Sequence, residues 1–197
     1  MKRGERMEIR IGGTGGQGLI LSGKMLADAL CAAGRRVAQS QTYEPTSRGG
    51  YCNCDLVVTE GEVDYPLASA LDCLVLLDRM AVGPSWALLK SGALVIADTR
   101  LCPEIPAGDH RVHHLPLTRT AIELGSERVA NIVALGALAV LAAICEREAL
   151  ERAVRAGTPK SFLDLNLDAL AAGYRLGEKA TRAAAATPAT SASTAAG

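Results

Sequence analysis

Apolar residues along this chain fall into short runs separated by stripes with helical spacing. Ile9 and Ile11 lead directly into five glycines within residues 12–18. Leu19, Ile20, Leu21, Met25, Leu26, Ala29 and Leu30 follow at helical intervals. This pattern predicts a strand over 8–12, a glycine turn, and a helix over 16–33 capped by Gly34. Further strands are expected over 36–42, 51–59, 72–77, 92–97 and 111–115. The runs at 72–77 and 92–97 are almost wholly apolar, as in parallel strands buried on both faces. Helices are expected over 85–90, 119–124, 146–156 and 163–181. One more, capped by Ser126, carries the apolar run that follows it.

Strands alternating with helices specify an α/β fold: a Rossmann-like three-layer domain, its mostly parallel sheet flanked by helices. Residues 1–180 are expected to form a single domain. Residues 181–197 are read as a tail. From Ala183 onward it is almost wholly Ala, Thr, Ser and Pro, which cannot bury a core, so disorder is expected there.

Gly13, Gly15 and Gly18 fit the G-x-G-x-x-G spacing of dinucleotide-binding turns. In such a turn one glycine permits the sharp bend, one admits a ligand or neighbouring backbone, and one lets the helix pack on its strand. The acid expected at the end of the second strand is missing. That strand ends in Gln39-Ser40-Gln41-Thr42, and Glu44 precedes Pro45 in a loop. The motif points to a Rossmann-like fold more firmly than to NAD.

Composition narrows the classes. Net charge is zero and aromatics make up 3% of the chain, so neither a polyanion nor stacked bases are expected partners. The basic stretch 1–10 runs into glycines and does not read as a signal peptide. Residues 129–145 carry no charge, but they reach only the bottom of the membrane-spanning range and include Asn131. A central buried helix is expected there, with no membrane association. None of the six cysteines forms C-x-x-C, so neither zinc nor an iron–sulfur cluster is expected on this chain. Reduced thiols and a cytoplasmic location follow as the default. Cys52 and Cys54 would share one strand face, with Asn53 on the other. The adjacent His113 and His114 point to opposite sides of a strand and cannot pair on a metal. No catalytic triad stands out.

Three motifs in order resemble the gamma subunit of the 2-oxoacid:ferredoxin oxidoreductases. Gly13 to Gly18 match that family's G-x-G-G-Q-G. Tyr43, Pro45, Arg48, Gly49 and Gly50 match a Tyr-Gly-Pro-Glu-x-Arg-Gly-Gly loop, with Glu44 in place of its glycine and Thr46 in place of its acid. The stretch 123–136, from Glu123 through Asn131 to Leu135 and Gly136, resembles the run ending Asn-x-x-x-Leu-Gly, and Asn166 also fits. The resemblance spans about residues 7–175. It implies a subunit of an enzyme that oxidatively decarboxylates a 2-oxoacid with thiamine diphosphate. Electrons would pass through iron–sulfur clusters to ferredoxin, and the acyl group to coenzyme A. Alpha and beta subunits, and a ferredoxin-like delta subunit in some assemblies, are the implied partners. Thiamine and cluster sites would lie mainly on those subunits, leaving this chain an accessory role in assembly and at the substrate or coenzyme A channel. 2-Oxoglutarate is favoured as substrate by the separate-subunit form, ahead of pyruvate and branched-chain oxoacids.

The implied ligand- or subunit-binding loop comprises Gly13, Gly15, Gly16, Gln17, Gly18, Tyr43, Arg48, Gly49, Gly50 and Asn131, with no catalytic residue and no metal ligand. Arg48 reads equally as an anion contact or an interface anchor. Gln17 reads as a ligand contact or a cap on backbone. Asn131 must find partners within an apolar helix, and a structural bond to a loop is expected. The alternative from another class is a free-standing nucleotide-binding or regulatory module; an NAD-dependent dehydrogenase is a third reading.

Overall fold

A computed structural model describes residues 6–44, 49–61, 63 and 65–186. Among them, six strands form one sheet: β1 (Met7–Thr14), β2 (Arg36–Tyr43), β3 (Tyr51–Thr59), β4 (Leu71–Leu76), β5 (Leu89–Asp98) and β6 (Arg111–Leu115). The sheet order is β2-β3-β1-β4-β5-β6. β1, β4, β5 and β6 run parallel, and β3 is antiparallel to both its neighbours. The reason lies in the loop at 44–50. It is too short for a crossover, so β2 and β3 form an antiparallel hairpin, and β3 inserts beside β1. β2 is thereby displaced from β1 by one strand, about 4.8 Å further than in a dinucleotide-binding unit. The ribose position of such a unit is lost by topology as well as by the missing acid.

The helices are α1 (Leu19–Ala32), α2 (Val82–Trp86), α3 (Leu117–Glu123), α4 (Ala130–Ala142), α5 (Arg147–Gly157) and α6 (Leu163–Ala186). α1, α4, α5 and α6 bury the main core against Ile9, Ile11, Leu56 and Ile96. The opposite sheet face carries a smaller cluster, including Leu71, Leu74, Leu76 and Val95, under the 3-10 turn Arg79–Ala81 and α2.

Several boundaries differ from the sequence reading. α1 starts at Leu19 rather than 16, because Gly16 (φ 100°) and Gly18 (φ 72°) hold left-handed conformations that a helix excludes. The helix expected over 85–90 is the shorter α2, and β5 begins already at Leu89, paired with Leu71 before a register shift. α6 runs to Ala186, because alanine is the strongest helix former and carries the helix past 181. Residues 187–197 lie outside the described residues.

α4 is the apolar helix expected at 129–145, with every residue from Ala130 to Ala139 buried. It crosses α6 at bare backbone. A Cβ on Gly136 would run into Leu170 O, and one on Gly173 into Val133 O. Among the described residues, no helix is long and apolar enough to cross a membrane.

A charged pair is buried on the second sheet face. Arg10 and Asp55 face each other across β1 and β3. Arg10 Nε and Nη2 each donate to an Asp55 carboxylate oxygen at 2.7 Å. Asn53 Nδ2 donates to Asp55 Oδ1 at 2.7 Å, and Arg10 Nη1 to Pro84 O at 3.2 Å. Removing one partner leaves the other charge buried and unpaired. Asp55→Ala is therefore expected to cost about 3–5 kcal/mol in denaturant titration. A loss below about 1 kcal/mol would show that water reaches the pair.

Candidate functional site at the junction of three loops

The carboxyl end of β1 is where open α/β sheets place ligands, at the point where connections diverge to either side. Here β1 lies between β3 and β4, and its following loop is the glycine segment. Gln17 folds back over that segment. Its Oε1 accepts from Thr14 N–H at 2.8 Å, and its Nε2 donates to Leu77 O at 3.0 Å. A Cβ on Gly13 would collide with Gln17 Oε1, so any side chain there would displace the carboxamide from its place over the loop.

The other two motifs meet this loop. Gly15 N–H donates to Gly50 O at 3.0 Å, joining the glycine loop to the loop after β2. Asn131, the first buried polar residue of α4, donates from Nδ2 to Gly18 O at 3.0 Å across 113 positions of sequence, while its Oδ1 accepts from Ile132 N–H at 2.9 Å. A Cβ on Gly18 would lie 2.6 Å from Asn131 Nδ2. Gly18 thus serves twice, by its left-handed φ and by admitting the amide. Gly15 is different: its nearest neighbour to an added Cβ is Gly50 O at 3.9 Å, an ordinary contact.

Glu44, which departs from the family pattern, closes the neck of the hairpin. Its N–H donates to Tyr51 O at 2.9 Å, and its Oε2 accepts from Tyr51 N–H at 3.2 Å. Gly49 holds φ 75° at the return of the loop. Arg48 and Thr46 lie outside the described residues. Asn166 donates from Nδ2 to Thr158 Oγ1 at 3.3 Å, away from the corner.

Beside the glycine loop lies an apolar groove of about 660 Å³, lined by Gly15, Gly16, Leu19, Ile20, Leu21 and Tyr43. Three of these are strongly exposed: Ile20 at 38%, Leu21 at 45% and Tyr43 at 62%. Ile20 and Leu21 belong to the apolar pattern that predicts the helix, yet both face outward on α1. The signal was present, since Leu19, Ile20 and Leu21 are consecutive and sweep about 200° of the helix, wider than one buried face needs. Lys24, at the groove's edge, is held by Asp28 at 2.6 Å.

A second depression, about 430 Å³, opens at the amino ends of the strands between Arg6, Lys90 and Arg111. Lys90 there is committed to Asp72 at 2.7 Å, and this end of the sheet is opposite the ligand-binding end of α/β folds. Among the described residues, no three His, Cys, Asp or Glu side chains converge as a metal site. Cys52 and Cys54 do share the core face of β3, with Asn53 opposite. Burial pushes the thiols of Cys54, Cys73 and Cys102 up to about 12, so they stay protonated and inert. Burial beside Arg111 lowers the pKa of His113.

The architecture is thus a Rossmann-like domain whose first loop is filled by its own glutamine and laced to two other loops. A sequence profile of the pyruvate ferredoxin/flavodoxin oxidoreductase family matches residues 8–176, and the chain belongs to that family. It is 35% identical, over 178 residues, to the 2-oxoglutarate synthase subunit KorC of Methanocaldococcus jannaschii, covering 88% of this chain and 95% of that protein. The crystal structure of a keto/oxoacid ferredoxin oxidoreductase gamma subunit from Geobacter sulfurreducens superposes with a TM-score of 0.82 at 36% identity, over 89% of this chain and 98% of that one. The 2-oxoglutarate:ferredoxin oxidoreductase of Magnetococcus marinus, solved with 2-oxoglutarate, coenzyme A and succinyl-CoA bound, matches with a TM-score of 0.79 at 25% identity. That match covers 89% of this chain but 31% of the other, so the same domain there is one part of a longer polypeptide.

Proposed function

We propose that this chain is the gamma subunit of a multisubunit 2-oxoacid:ferredoxin oxidoreductase acting on 2-oxoglutarate, and that it is inactive alone. The assembly would release carbon dioxide from the 2-oxoacid, pass the acyl group to coenzyme A and the electrons to ferredoxin. Alpha and beta subunits, with a ferredoxin-like delta subunit in some assemblies, are the expected partners. One observation carries the reading: the three family motifs converge on a hydrogen-bonded corner bordered by exposed Ile20, Leu21 and Tyr43. A contiguous apolar rim next to open backbone suits a protein partner better than a polyphosphate.

This chain's own residues do not fit a cluster or thiamine diphosphate. Its buried thiols are dispersed and protonated, and no acidic group converges for a divalent cation among the described residues. Those groups belong on the partner subunits in this reading. Co-purification from the native host tests it. Subunits carrying iron and thiamine diphosphate are expected with this chain, and recovery as a lone polypeptide would contradict the proposal.

Arg48 offers a finer test. In the assembled enzyme, Arg48→Ala is expected to lower turnover or weaken coenzyme A binding by roughly ten- to a hundredfold, the worth of a charge-assisted contact of about 1.5–3 kcal/mol. If Arg48 only anchors the interface, association weakens while the assembled fraction keeps normal kinetics. Unchanged assembly with unchanged kinetics would remove it from the site.

A further inference from the structure

The glycine loop has the spacing of a phosphate-binding turn, yet its crevice is filled. We propose that Gln17 is a built-in occupant of the nucleotide crevice, closing the switch point between β1 and β4 to phosphate ligands and fixing the loop's outer face. Three observations converge on this residue. Its carboxamide takes the Thr14 N–H, one of the backbone donors a phosphate would need, at 2.8 Å. The same carboxamide ties the loop to the carboxyl end of β4 through Leu77 O at 3.0 Å, and Leu77 N–H in turn donates to Gly12 O at 2.9 Å, so both strand ends are bridged. The missing side chain at Gly13 is what makes room, since a Cβ there would collide with Gln17 Oε1.

Glycine at 13 thus serves the protein's own side chain rather than a ligand. A carboxamide suits the position because it presents an acceptor and a donor at once. A carboxylate would set negative charge against the Leu77 carbonyl, and a hydrocarbon would satisfy neither group. With the inner side filled, the accessible part of the turn is Gly15 and Gly16. Among the described residues, an added Cβ at Gly16 would meet nothing within 4 Å. This inference concerns the chain by itself and stands or falls independently of its partners.

The test is amide-resolved NMR on the full-length chain, titrated with inorganic pyrophosphate and separately with ADP to about 10 mM, a range that detects millimolar binding. In the wild type, the amides of Thr14 to Gly18 are expected to stay unmoved. In Gln17→Ala, the Thr14 amide is expected to exchange with solvent several- to tenfold faster, and pyrophosphate is expected to shift the loop amides. Shifts of the wild-type loop amides by either ligand would overturn the proposal. So would a Thr14 amide that stays equally protected in Gln17→Ala, or a folded Gln17→Ala loop that pyrophosphate leaves unmoved. Should Gln17→Ala fail to fold, the wild type decides. Unmoved loop amides with slowed exchange of the Gln17 side-chain N–H protons would support the occupant role, and loop shifts or free exchange of those protons would refute it.

Discussion

Gly173→Val is expected to cost about 3 kcal/mol or more, lowering the thermal midpoint by about 6–12 °C or preventing soluble expression. The reason is the α4–α6 crossing. A Cβ on Gly173 would run into Val133 O, 2.9 Å from both Val133 C and Gly136 Cα, so the obstacle is main chain and cannot rotate away. Two buried helices would have to separate, opening voids along Leu135, Leu138 and Leu170. Gly83 is the control: it has no positive φ and, among the described residues, nothing within 4 Å of an added Cβ. Gly83→Ala should stay within about 0.5 kcal/mol of wild type. Equal midpoints for Gly173→Val and wild type would show that the helices do not pack at this distance.

The second large effect concerns the groove. Leu21→Asp is expected to weaken association with the partner subunits by about thirtyfold or more, the signature of a central interface residue worth about 2 kcal/mol. Folding should be spared, since Leu21 is already 45% exposed on α1. Ile122, 47% exposed on α3, supplies a matched control, and Ile122→Asp should assemble normally. Gly15→Val complements both, because among the described residues an added Cβ there meets only Gly50 O at an ordinary 3.9 Å. Binding curves for Leu21→Asp that overlay the wild type would remove the groove from the interface.

The fold class was legible because strands and helices alternate in pattern, and the runs at 72–77 and 92–97 could only be buried strands. The position of β3 was not. Alternation reveals that a strand exists, while its neighbour depends on the loop at 44–50, whose brevity forces a hairpin. The glycine motif was legible as a turn but ambiguous as chemistry. Nothing local distinguishes a glycine that admits a phosphate from Gly13, which admits Gln17. Asn131 could be expected to bond a loop, because an amide in an apolar helix needs a partner. Its actual partner, Gly18, lies 113 positions away and is fixed only by the packing of α4. Gly136 and Gly173 were visible as small residues, yet their pairing required the crossing of two helices. Alanine at 183–186 was read through composition, and its helix propensity, extending a helix already nucleated, prevailed.

The central claim is that this chain is a necessary, non-catalytic subunit. Its most direct test is omission. The partner subunits are assembled without this chain, 2-oxoglutarate-dependent ferredoxin reduction with coenzyme A is measured, and the purified chain is then added back. The expected result is little or no activity before addition, restoration that saturates near one chain per catalytic unit, and no activity from the chain alone. Full activity without the chain, unchanged by its addition, would contradict the account.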